Sequence, residues 1–63
     1  MREFSGAKFK LARNELGFTQ TQLAYELGVE AKTVNSWEVG ARTPKIERLP
    51  QIATALHVRI EDL

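Results

Sequence analysis

Gln20-Thr21-Gln22-Leu23-Ala24-Tyr25-Glu26-Leu27-Gly28-Val29-Glu30-Ala31-Lys32-Thr33-Val34-Asn35-Ser36-Trp37-Glu38-Val39 is the stretch that decides the fold of this 63-residue chain. Its spacing predicts two short helices, about 20–27 and 31–39, joined by a tight turn. Two helices crossing at a steep angle need a small residue at the crossing and an unstrained positive φ between them, which Ala24 and Gly28 supply. Leu23, Leu27, Val29, Val34 and Trp37 fall on the faces that meet a shared core, whereas Gln20, Lys32, Thr33, Asn35 and Ser36 point away.

Working outward, Thr19 and Gln22 form a capping box that starts the first of these helices, and Phe18 is placed to staple onto Leu23. Gly17, Gly28 and Gly40 each stand just past an apolar-periodic stretch, where a helix ends in the left-handed conformation. An earlier helix is expected from about Gly6 to Leu16, with Phe9, Ala12, Arg13 and Leu16 on one face. A fourth helix should carry Leu49, Ile52, Ala53 and Leu56 inward. Pro50 is costly inside a helix, so regular helix is expected from about residue 49, after a looser turn over residues 45–48. A final turn contains Val58, Ile60 and Leu63, and Ile60-Glu61-Asp62-Leu63 reads as the opening of a fifth helix. The fold class is therefore all-α, a compact domain of four to five helices without strands, repeats or low-complexity segments.

Length and composition bound the rest. A chain of 63 residues holds one domain, and a domain of this size buries only about 60% of its unfolded surface. With no cysteine and one histidine, neither a disulfide nor a zinc site is available, and no cofactor is expected. No apolar run approaches the roughly 20 residues that span a bilayer, and the start lacks the apolar segment of a secretory signal. No membrane partner is expected, and the expected location is the cytoplasm, at the nucleoid. Paired carboxylates, an activated nucleophile and a phosphate-cradling glycine loop are all missing, so an enzyme is not the expectation. The formal net charge of +1 is low for a nucleic-acid binder, which puts the weight on where the charges lie.

Residues 20–39 fit the helix-turn-helix template position by position. With Phe9-Lys10-Leu11-Ala12-Arg13, Leu16-Gly17-Phe18-Thr19-Gln20, Leu27-Gly28-Val29, the run Val34 to Pro44 and Ile52-Ala53-Thr54-Ala55-Leu56, they cover almost the whole chain. Together these strings resemble the lambda-repressor-like (Cro and C1 type, XRE) DNA-binding domains of phage repressors and many bacterial regulators. The resemblance implies sequence-specific binding of double-stranded DNA by a transcriptional regulator, a repressor among them, with the second helix of the motif in the major groove. The implied target is a palindromic operator bound by a homodimer, its half-sites about 34 Å apart. Since the fifth helix is only begun, the chain is expected to be a fragment, with a further domain C-terminal to Leu63.

Spacing puts Arg13 and Glu38 on inward faces, where two buried charges should find each other, and the resemblance implies an internal salt bridge at these positions. Gln20 opens a helix whose free N–H groups favour phosphate, and the resemblance implies that this glutamine contacts phosphate and braces the recognition helix. The family's base readers match Ala31, Lys32 and Ser36. Of these, Lys32 can donate to guanine O6 and N7, Ala31 offers a methyl to thymine, and Ser36 reads with little selectivity. Thr33 and Asn35 are candidates for phosphate or the groove wall, or plain solvated surface. Arg42 and Lys45, with Lys8 or Lys10, are candidates for backbone contacts that fix register.

Three departures stand out. Glu30 occupies an N-cap where the family usually has serine or threonine; its carboxylate favours the helix dipole, repels phosphate, or accepts from cytosine N4. Ala31 replaces a longer polar residue that often interlocks with Gln20, so that brace is expected to be missing. His57 replaces a glycine, in a conformation that histidine tolerates less readily. Trp37 is expected in the core and Tyr25 on the surface. The competing reading is an antitoxin-like protein-interaction module that keeps the fold without DNA specificity, which the low charge and Glu30 would suit.

Overall fold

The structure, a computed structural model, describes residues 4–63. Residues 1–3 of the expected 1–63 domain lie outside the described residues. Four α-helices run in order: α1 Gly6–Glu15, α2 Gln20–Leu27, α3 Ala31–Val39 and α4 Leu49–Leu56, with 3-10 turns at Ile46–Arg48 and Ile60–Asp62. The described residues contain no strand.

Three of the four starts have a local cause. Ser5 caps α1, its Oγ accepting from the Lys8 N–H at 3.2 Å. The predicted capping box of α2 is present, with Thr19 Oγ1 accepting from Gln22 N–H at 3.0 Å and Gln22 Oε1 accepting from Thr19 N–H at 2.8 Å. Pro50 lies in the first turn of α4, where its missing N–H would have had no helical partner and its fixed φ suits the helix. The looser segment before it is the 3-10 turn at Ile46–Arg48.

The ends share a second device. Phe18, Val29 and Val58 each donate their backbone N–H to the carbonyl five residues back, of Arg13, Ala24 and Ala53 respectively. The residue before each has a positive φ: Gly17 78°, Gly28 71° and His57 58°. This is the Schellman closure, and the apolar residue just past it folds back onto the core. All three of these residues are half-buried against the core.

The core consists of Phe9, Ala12, Leu23, Ala24, Leu27, Val34, Trp37, Ile52, Ala53, Leu56 and Leu63. Phe9 and Trp37 meet edge to face with ring centroids 5.9 Å apart, a preferred aromatic geometry. One expectation about the core fails. Leu16 is 43% exposed because α1 stops at Glu15 and the chain reverses through Gly17, so Phe18 takes the place on the core that Leu16 would have held. Ile60 is 46% exposed, while Leu63, just past the final 3-10 turn, is buried in the core. Two further residues lock neighbouring elements together. Arg48 donates from Nη1 to the Leu27 carbonyl at 3.1 Å, satisfying the end of α2. Gly6 lies so close to the end of α3 that an added Cβ would meet the Trp37 carbonyl oxygen at 2.4 Å.

Candidate nucleic-acid interface

The turn between α2 and α3 is built as its residues dictate. Ala24 is buried at the crossing, 3% exposed, and Gly28 adopts φ 71°, ψ 30° as the left-handed cap of α2. A side chain at residue 28 would meet no steric obstacle, so the backbone angle rather than space selects glycine. Val34 and Trp37 then anchor α3 from beneath, which leaves Lys32 and Asn35 exposed and Thr33 and Ser36 half-buried on the other side.

Under that surface lies a polar network. Arg13 Nε donates to Glu38 Oε2 at 2.5 Å and Nη2 to Oε1 at 3.1 Å, a two-pronged ion pair, and Nη1 donates to the Phe18 carbonyl at 2.7 Å. The two side chains are 9% and 2% exposed. Burial penalises the Glu38 carboxylate, but hydrogen bonds from Arg13 and Gln20, with the charges of Arg13 and Lys10, outweigh it and hold the carboxyl below its ordinary value of 4.5.

Gln20 joins this network from the start of α2. Its Nε2 donates to Glu38 Oε1 at 2.9 Å and to Asn35 Oδ1 at 3.1 Å. A carboxylate can only accept, so the orientation of the Gln20 amide is dictated by chemistry, and both its N–H bonds are committed to α3. The brace between Gln20 and the recognition helix therefore exists despite Ala31, and it runs to Asn35, one turn further along α3. Ala31 itself is half-buried and packs against the core.

The outward residues fall into two groups. Lys32, Thr33, Ser36 and Arg42 line one depression together with Glu30. Arg42 is held there by its backbone N–H, which donates to the Ser36 carbonyl at 3.2 Å. Lys45 is not among them and lines a separate hollow with Glu47, Arg48 and Gln51. Lys8 and Lys10 are exposed on α1, and Tyr25 is 85% exposed on α2. Glu30 makes no side-chain hydrogen bond to the helix it precedes. Its Oε1 lies instead 3.6 Å from Lys32 Nζ, both side chains being well exposed. Among the described residues no helix is long and apolar enough to cross a membrane.

Comparison with known proteins gives the same frame. The helix-turn-helix family model matches residues 9–63. The cryptic phage CTXphi transcriptional repressor RstR of Vibrio cholerae serotype O1 is 35% identical over 51 residues, 81% of this chain. The chain spans only about half the length of that relative, 46%. Among solved structures, the master regulator for biofilm formation SinR, crystallised with DNA, is 30% identical with a TM-score of 0.80, covering 89% of this chain and 90% of that one. The restriction-modification controller protein C.AhdI of Aeromonas hydrophila is 26% identical with a TM-score of 0.83, covering 90% and 86%. The P22 c2 repressor in complex with a synthetic operator shares the fold, with a TM-score of 0.84 at 23% identity, covering 97% and 91%. On the strength of the match over residues 9–63 and of these relatives, the chain belongs to the helix-turn-helix family, as a lambda-repressor-like (Cro/C1-type) DNA-binding domain.

Proposed function

We propose that this domain binds double-stranded DNA sequence-specifically as part of a cytoplasmic transcriptional regulator, with α3 lying in the major groove. The observation that carries this reading is the convergence of Lys32, Thr33, Ser36 and Arg42 on one depression along the outer face of α3. Donors at the N-terminal half of a helix seated in the groove reach base edges, while those at its flanks reach phosphate. Lys32 and Ser36 take the base-reading role, and the methyl of Ala31 borders the groove. Thr33, Asn35, Arg42 and Lys45 are assigned to phosphate and the groove wall. At Gln20 the phosphate ligand is the free backbone N–H at the start of α2, because the side-chain amide is spent on Asn35 and Glu38. Arg13 and Glu38 serve folding.

The target is taken to be a palindrome read by two copies of the chain. The domain measures 30 Å along its longest axis, so copies on half-sites one helical turn apart, about 34 Å, sit as neighbours. The exposed carboxylate of Glu30 and the net charge of +1 favour one competitor, a protein-interaction module of the same fold. An amide chemical-shift titration of the labelled domain with mixed-sequence duplex, at low and moderate salt, separates the two. Salt-sensitive shifts at Gln20, residues 31–36 and Arg42 are expected for DNA binding; no shifts at low salt would exclude it.

A further inference from the structure

Glu30 is placed where a helix-capping residue belongs and does not cap. A side-chain oxygen at this position can accept an N–H of the first turn. Here the side chain turns outward to Lys32, its Oε1 at 3.6 Å from Nζ. Both groups border the depression formed with Thr33, Ser36 and Arg42, on the face assigned to DNA. An acceptor and a donor thus stand side by side at the tip of the recognition helix.

We infer that Glu30 and Lys32 act as one reading head for a single G·C pair, with Glu30 a specificity-determining residue in its own right. This inference rests on the DNA-binding reading above. In the major groove guanine presents two acceptors, N7 and O6, and cytosine presents the N4 amino donor. O6 and N4 are hydrogen-bonded to each other across the pair, about 2.9 Å apart, close to the Glu30–Lys32 spacing. The ammonium of Lys32 lies over N7 and O6 while the Glu30 carboxylate accepts from N4. An A·T pair presents the order acceptor, donor, acceptor, with a methyl beyond it. There the ammonium meets one acceptor only, adenine N7, with the N6 amino group beside it, and the carboxylate is left against thymine O4, an acceptor that repels it. Away from such a pair, Glu30 also partly neutralises Lys32 and weakens its attraction to any phosphate. The carboxylate therefore lowers indiscriminate binding while raising discrimination, which accounts for a charged residue at a cap where its side chain makes no capping hydrogen bond.

The test starts by selecting binding duplexes from a randomised pool with the 63-residue chain. Affinity is then measured by fluorescence anisotropy for the selected duplex, for versions with each G·C pair changed to A·T, and for unrelated duplex, each at two salt concentrations. Glu30→Gln, Glu30→Ala and Lys32→Gln are compared with the parent, and circular dichroism of each checks folding. The parent should lose roughly 10-fold or more in affinity at one G·C position per half-site. Both Glu30 variants should lose most of that preference while binding unrelated duplex more tightly. Lys32→Gln should lose the preference and bind all duplexes more weakly. Unchanged base preference in the folded Glu30 variants would overturn the inference, as would tighter binding with the same ratio between duplexes. Failure of the parent to bind any duplex at low salt would overturn the DNA-binding reading itself.

Discussion

Arg13 and Glu38 illustrate how much a single pair carries in a small domain. Removing one partner of a buried ion pair leaves the other charge uncompensated, at a cost of about 3–5 kcal/mol. Total stability for a chain of this length is on the order of 3–9 kcal/mol. Arg13→Met is therefore expected to be largely unfolded at 37 °C in a circular-dichroism melt. Glu38 adds a pH dependence. Its carboxyl is held below 4.5 in the folded state, so the unfolded chain binds the proton more readily. The stabilisation is present above the unfolded value and is lost as pH falls through the folded one. Urea midpoints of the parent should drop below about pH 4.5, whereas Glu38→Gln should start lower and lose less over that range. The same pair was visible in the sequence as two charges at inward helical positions. The third member, Gln20, was not, because a polar residue in a first turn faces either way until the neighbouring helix is in place.

At the scale of elements, helix ends were more legible than helix contacts. Capping is local chemistry, so Thr19 with Gln22, and glycine after each apolar stretch, marked boundaries that the structure reproduces to within a residue. The end of α4 depends on His57 at φ 58°, a left-handed conformation that costs a side-chain-bearing residue about 1–2 kcal/mol. His57→Gly is expected to gain about 1 kcal/mol at most, since glycine also loses more backbone freedom on folding, and the thermal midpoint should rise by a few degrees. Gly6 gives the opposite outcome. Alanine is the better helix former by about 1 kcal/mol, yet its methyl would meet backbone oxygens of Trp37 and Glu38 at 2.4 and 2.6 Å. Gly6→Ala is expected to destabilise by about 1–3 kcal/mol as α1 is forced off α3; a stability equal to the parent's in urea titration would refute that close approach.

For the whole molecule, the distribution of charge matters more than its sum. With a net charge of +1, attraction to DNA must come from a few cations gathered on one face. Arg42 is tied to α3 through the Ser36 carbonyl and belongs to the backbone-contacting set in the proposed complex. Arg42→Gln is expected to weaken binding about equally for selected and unrelated duplexes and to reduce the slope of log affinity against log salt by about 1. A loss confined to the selected sequence would move Arg42 into the base-reading set.

The helices, the left-handed turns between them and the apolar faces that meet are legible from the residues alone, because caps, glycines and 3.6-residue periodicity act over a few neighbouring residues. Leu16 escaped that logic, since the exact end of a helix decides which of two nearby apolar residues is buried. Packing of the helices settles that Gln20 spends its amide on Asn35 and Glu38, that Glu30 turns to Lys32 rather than capping, and that Arg42 rather than Lys45 lines the depression on α3. Each of these depends on distances between side chains or elements that are set only once the helices have packed, and long polar side chains choose among partners that periodicity cannot rank.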